Sequence, residues 1–352
     1  MLPFIAGGMI VLGVLIFFHE LGHFLAAKRL KVGVIKFSLG FGPKLIGKRV
    51  GETEYLISAV PLGGYVKLVG EDPNEPVDNP EKDFSTKPIW TRVKIILAGP
   101  FFNLLFAVIV FSGVYMVGMP VYSSLPKIGQ VQDKSPAMKA GLKAGDLIVA
   151  INQKKINKWE EMAEFIHDYP GKEIILQVER GGKSRAIPIT PESKKVMDSS
   201  GKEIIIGLIG INPTLEFQRY NPFMAVIKGL EETWTITELT VVSIVKIIQK
   251  QISPKTIGGP ILIFQLAGEV FKLGIITLAR FTALLSVNLA ILNLLPIPIL
   301  DGGHLLFFLI EAVRGKPVSI KKREIAQQIG LVLLVCLMLF AFYNDLMRVF
   351  EK

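Results

Sequence analysis

The stretch His19-Glu20-Leu21-Gly22-His23 closes an apolar run that opens the chain, with no charged residue before it and none after Glu20 until Lys28. On a helix, H-E-x-x-H sets two imidazoles one turn apart on one face, where both can ligate a single metal. The Glu stands beside them as a general base. Residues 2–27 are enough to cross a hydrocarbon core of roughly 30 Å at about 1.5 Å per residue. Ionisable groups at that depth are expensive, and they are functional candidates by default. The uncharged lead-in excludes a soluble helix bearing the same motif.

Composition points the same way. The 352 residues are 50% hydrophobic with mean hydropathy +0.47, too apolar for a soluble chain. The formal charge of +10 fits Lys and Arg in cytoplasmic loops, with no nucleic-acid partner. Cys336 is the one cysteine, which excludes a disulfide framework or a cysteine-based zinc site within the chain. The opening run lacks the basic n-region and cleavage site of a signal peptide.

Working outward, the expected fold is a polytopic α-helical membrane protein with four transmembrane helices, a small membrane-associated β-region and an α/β module. Residues 1–27 form the first helix. Residues 28–94 read as a cytoplasmic-side β-rich region, with short strands at 34–39, 53–60 and 65–69 and turns at 40–43 and 61–64. The second helix is 95–119, kinked or late-starting at Gly99-Pro100. Residues 120–192 form a compact extracytoplasmic module. Residues 193–276 hold a strand and amphipathic helices that read as interfacial. Residues 277–310 are a transmembrane helix that must break, because Pro296 and Pro298 cannot sit in an unbroken helix. A cytoplasmic loop, 311–324, and a last helix, 325–344, follow.

Depth nominates a third metal ligand. His19 stands nine residues before Lys28, and Asp301 ten before Glu311. Two helices running the same way therefore bring them to about the same level, and a catalytic zinc takes three protein ligands plus water. The alternative is that Asp301 caps the helix after Pro298. With His19, His23 and Asp301 as ligands and Glu20 as base, the chemistry is metal-assisted peptide hydrolysis. Asn103, Asn288 and Asn293 are candidates for holding substrate or polarising the oxyanion. A substrate helix must unwind to be cut, and the strands around Gly40-Phe41-Gly42 offer an edge to hold it extended. His304 is a candidate outer-sphere donor or an interfacial histidine.

Two resemblances follow from these residues. Ser135-Pro136-Ala137, Ala140-Gly141-Leu142 and Gly145-Asp146 resemble the signature of PDZ domains, which implies a groove taking an extended peptide or C-terminus. The H-E-x-x-H, Gly40-Phe41-Gly42-Pro43, Gly99-Pro100 with Asn103, Gly258-Gly259-Pro260 and the run from Asn293 to His304 resemble the site-2 protease family of intramembrane zinc metalloproteases. They are most similar to its bacterial regulator-of-sigma-E type. The resemblance implies one Zn2+ per chain on His19, His23 and Asp301, with Glu20 catalytic. It further implies cleavage of single-span membrane proteins, such as an anti-sigma factor or signal-peptide remnants. The setting is the lipid bilayer of a bacterial inner membrane. Both termini and the PDZ-like module then lie outside the cytoplasm, with the active site near the cytoplasmic face. Many members of that type carry two tandem PDZ domains, and this chain has length for one. The rival readings are a catalytically inactive PDZ scaffold, which has no need of Glu20 and Asp301, and a transporter, for which paired repeats are missing.

Overall fold

The computed structural model describes residues 2–71, 76–77, 79–197 and 203–350. In chain order the elements are α1 (Leu2–Arg29), β1 (Val34–Val50), β2 (Thr53–Leu68), α2 (Ile89–Val117), β3 (Met119–Tyr122), β4 (Ile128–Val131), α3 (Pro136–Lys139), β5 (Leu147–Ile151), β6 (Lys154–Lys155), α4 (Trp159–His167), β7 (Ile174–Arg180), β8 (Lys183–Ile189), β9 (Glu192–Met197), β10 (Glu203–Leu208), β11 (Ile211–Pro213), β12 (Leu215–Gln218), α5 (Pro222–Ile248), α6 (Pro260–Lys272), α7 (Ile275–Asn293), α8 (Asp301–Arg314) and α9 (Ile320–Phe350). They divide into two compact units, Met1–Met116 with Tyr220–Lys352, and Val117–Arg219. The chain is a helical membrane protein. Among the described residues α1, α2, α7 and α9 are long and apolar enough to span a bilayer.

In the first unit, small residues let helices meet backbone to backbone. A Cβ on Gly7 would stand 2.8 Å from the Ala267 carbonyl oxygen of α6, and one on Gly22 would collide with the Ala98 carbonyl oxygen of α2. Helix α2 starts at Ile89, earlier than the apolar run predicts, and continues through Pro100. Its first turns are charged, but Arg92 is buried. Its guanidinium pairs bidentately with Glu311 of α8 at 3.1 and 2.5 Å and lies over the Phe308 ring, so the charge does not end the helix.

Helix α5 packs along α7. Glu232 pairs with Arg280 at 2.8 Å and Thr240 donates to Asn288 at 2.7 Å. Both pairs are 48 residues apart, so α5 lies lengthwise along α7 and points the same way. On the same face Gly229 sits against Ser112 and Val108 of α2.

The β-region also differs from the expected short strands and turns. Gly40 and Gly42 take φ of +92° and +84°, so β1 bends there without leaving the ladder, and Phe41 still pairs with Val60. Residues 34–39 pair with 68–64 on one side and with 54–57 on the other, while 44–50 pairs with 58–53. Four segments thus lie side by side, with 64–68 at one edge. The 44–50 segment was not expected because it lacks alternating β-branched residues.

The predicted helix break is present. Helix α7 ends at Asn293 and α8 begins at Asp301. The intervening loop folds so tightly onto α8 that a Cβ on Gly302 or Gly303 would collide with the carbonyls of Leu294, Leu295 or Ile297.

The second unit has a sheet in the order β6-β5-β7-β8 over a core that includes Ile128, Ile148, Met162, Leu176 and Ile209. It extends past the expected limit at 192 to Arg219, because β11 pairs with β4 and β12 with β3. Its signature residues have local reasons. Ser135 caps α3 by accepting from the Met138 N–H at 3.2 Å, and Pro136 fits the first helical position. Gly141 and Gly145 have φ of +80° and +94°. Asp146 accepts from Arg180 at 2.6 and 2.7 Å and from the Lys143 N–H at 2.9 Å. Burial pushes the Asp146 carboxyl up, but Arg180 and the Lys143 N–H outweigh it and hold it below the usual carboxylate range. A depressed folded-state value gives stability that is present above the ordinary carboxylate pKa of about 3.9 and is lost as pH falls through the folded value. Asp146→Asn is therefore expected to speed hydrogen exchange in β5 and β7 at neutral pH, and acidification below the folded value should do the same in the unchanged protein.

Candidate active site

Helix α1 presents His19 and His23, α2 crosses behind them, and the loop after α7 delivers Asp301 at the first turn of α8. His19 Nε2 and His23 Nε2 stand 3.2 and 3.5 Å from Asp301 Oδ2 and 3.3 Å from each other. Donors about 2.0–2.1 Å from a tetrahedral ion stand roughly 3.3 Å apart, so this triangle has the size of a zinc ligand set. Asp301 Oδ2 is buried with no hydrogen-bond partner, a costly state that a cation among the three atoms relieves. The N-cap position of α8 is taken by Leu300, and Asp301 stands one position further in, within the first turn. Among the described residues, this is the group of three or more His, Cys, Asp or Glu whose donor atoms converge.

Around the triangle, His23 Nδ1 donates to the Ile95 carbonyl at 2.9 Å. Gly99, one turn further along α2, leaves room for both rings, since a Cβ there would collide with His23 Nε2 and stand 2.9 Å from His19 Cε1. Asn103, another turn on, brings its carboxamide to 3.3 Å from His19 Nδ1. From the far side Asn293 Nδ2 lies 3.3 Å from His19 Nε2. Glu20 opens onto the same cavity of about 300 Å3, whose lining includes His19, His23, Tyr65, Val66, Glu71, Asn293, Asp301 and His304. Gly64 lets β2 lie against Glu20, and a Cβ there would come within 3.2 Å of Glu20 Cγ. The Val66 backbone N–H faces the Glu20 carboxylate.

Residues 7–337 match the model of peptidase family M50. The chain belongs to that family. Three relatives cover nearly all of it. The zinc metalloprotease RasP of Geobacillus kaustophilus is 34% identical, over 97% of each chain. The regulator of sigma-W protease RasP of Bacillus subtilis is 32% identical, over 97% of this chain and 98% of its own. The regulator of sigma-E protease RseP of Salmonella typhimurium is 33% identical, over 98% of each. The last alignment runs to 450 positions, so residues enough for a small domain have no counterpart here. A solved PDZ domain of an SdrC-like protein from Listeria monocytogenes is 26% identical and covers 28% of this chain and 93% of its own, with a TM-score of 0.20.

The M50 peptidase is a metalloprotease of the site-2 type, and its residues can be compared with the sequence reading. His19, Glu20, His23, Asp301 and Asn293 come together, as does His304, at the cavity wall. Asn103 comes to His19, not to open space. Asn288 does not reach the site, because its side chain is engaged by Thr240 of α5. Gly40, Phe41 and Gly42 stand off the cavity as well. Phe41 stacks on Tyr65 at 6.3 Å, and it is Tyr65, Val66 and Leu68 of β2 that line the wall. The sequence reading passed over those three, Glu71 and the Ile95 carbonyl. Gly63-Gly64 was the available signal, a pair of missing side chains that marks close approach.

Proposed function

We propose that this peptidase is an intramembrane zinc endopeptidase that cleaves single-span membrane proteins within or next to their transmembrane segment. The observation that carries the reading is the convergence of His19, His23 and Asp301 on helices of membrane length and composition. These three residues hold one zinc ion per chain, which when bound supplies Lewis acidity to a water and to the scissile carbonyl. Glu20 takes the proton of the attacking water and delivers it to the leaving amine. Asn293, whose carboxamide is turned toward the donor triangle, holds the developing oxyanion. An unwound substrate segment pairs with the sheet edge formed by residues 64–68, beside Glu20, and Gly40, Phe41 and Gly42 support that edge from behind by stacking Phe41 on Tyr65.

The names of two relatives, regulators of sigma-E and sigma-W, support a membrane-bound anti-sigma factor as a substrate, with signal-peptide remnants as a second class. The Lys- and Arg-rich segments 28–94 and 311–324 favour the cytoplasmic side of a bacterial inner membrane. Four crossings then leave both termini and the PDZ-like unit extracytoplasmic. That unit takes a peptide or C-terminus in its groove.

The test is a purified, reconstituted chain given a single-span reporter. Cleavage is expected inside the reporter's span, to stop when a chelator removes the metal and to return on adding zinc in a 1:1 ratio. Cleavage indifferent to chelation, or confined to the reporter's soluble part, overturns the reading.

A further inference from the structure

Ile95, Gly99 and Asn103 form one row on α2, each a turn from the next, and the row faces the two histidines. Its first member takes the Nδ1 proton of His23 on a backbone carbonyl at 2.9 Å, which leaves Nε2 with its lone pair toward Asp301. Its middle member is the missing side chain that admits both rings. Its last member, Asn103, is fully buried, and its carboxamide lies 3.3 Å from His19 Nδ1. As drawn, the amide nitrogen faces the ring and the amide oxygen is buried with no partner.

An N–H2 group facing Nδ1 needs a lone pair there. In a neutral imidazole that puts the proton on Nε2, the atom 3.2 Å from Asp301, where a ligand must have none. Oxygen and nitrogen of a carboxamide are told apart only by their hydrogen bonds, and this oxygen has no other bond to give up.

We propose that Asn103 is a positioning residue that accepts the Nδ1–H of His19 through its side-chain oxygen, fixing the tautomer whose Nε2 faces Asp301. The row then does for both histidines what outer-sphere acceptors do in metal sites, which is to set ring orientation and raise ligand basicity. It removes Asn103 from the substrate-holding asparagines. The Asn103 backbone carbonyl accepts from Ser286 of α7 at 2.9 Å, a bond that does not involve the carboxamide. The inference rests on the metal-ligand reading of His19.

The experiment measures Co2+ and Zn2+ affinity by chelator competition, with the Co2+ absorption spectrum, on full-length protein in detergent. The variants are Asn103→Leu, Asn103→Asp, Ser286→Ala and His19→Ala. Leu keeps the bulk and removes the acceptor, so metal affinity should fall about 10–100-fold and the Co2+ bands should shift. Asp is an acceptor only, so it should stay within a few-fold of the unchanged protein with the same bands. Ser286→Ala should leave both readouts alone. With metal saturating, Asn103→Leu should lower kcat and leave KM unchanged. Three results overturn the proposal: Asn103→Asp as weak as Asn103→Leu, Asn103→Leu with unaltered affinity and spectrum, or Asn103→Leu raising KM alone. If Asn103→Leu does not fold, Asn103→Asp decides by itself, since loss of metal there means the site needs a donor. Unaltered metal binding by His19→Ala would instead defeat the ligand reading on which the proposal stands.

Discussion

Glu20→Gln should leave zinc bound and cleavage lost. Glu20 lies next to His19 in sequence, yet its carboxylate is not one of the three converging donors. It lines the same cavity and faces the Val66 N–H, so it can reach a water beside the donor triangle without joining the ligand set. Gln has nearly the same shape and can still sit beside β2, so the packing that Gly64 permits is preserved. What disappears is a group that can take a proton. General-base catalysis contributes about 10²–10⁴ in rate, and the reporter assay in vesicles should show a loss of at least that size at unchanged zinc content. Undiminished cleavage by the purified variant would sink the mechanism.

Asp301→Asn should lose the metal itself. The two histidines come from one turn of one helix, and Asp301 is the converging donor that a second helix supplies. Its Oδ2 lies within 3.5 Å of both imidazole Nε2 atoms and has no other partner. Replacing the carboxylate with a neutral amide removes the anionic donor and turns a nitrogen or a weaker oxygen toward the centre. The loss of zinc affinity should exceed the roughly 10–100-fold typical of outer-sphere partners, and cleavage should fall in step with zinc content. Zinc retained at full stoichiometry would show that the third donor lies elsewhere. The pairing of the two variants is informative, because one separates catalysis from metal binding and the other should not.

Much of this site was legible because its constraints are local or depend on depth. The spacing of His19 and His23 is a property of any helix, and Asp301 could be levelled against His19 from the charges that end each helix. The first is independent of how the chain folds back, and the second needs only that the two helices run the same way. The asparagines show where such reasoning stops. Asn288 and Asn293 are both polar residues in an apolar helix, and composition treats them alike. They are five residues apart, about 140° around a helix of 3.6 residues per turn, so they cannot face one site together. Asn293 faces His19 and Asn288 faces Thr240. On the partner helix α5 the charges read as a solvated face, and the structure matches one of them, Glu232, with Arg280 and Tyr115. A charge whose partner lies 48 residues away leaves no mark in a local window. The β-region failed for a related reason: the glycines read as turns are bends inside continuous strands, and the difference lies in pairing across the sheet.

The break between α7 and α8 has a consequence in time as well as in space. Ribosomes deliver the histidines with the first helix and Asp301 only near the end of the chain, after the second unit, α5, α6 and α7 have been made. Until then the growing chain carries a base and two imidazoles with no carboxylate to complete the set. A centre built from these three donors stays incomplete until Asp301 has been made. Competence arrives as a folding event, when the loop closes onto Gly302 and Gly303 and seats the last donor.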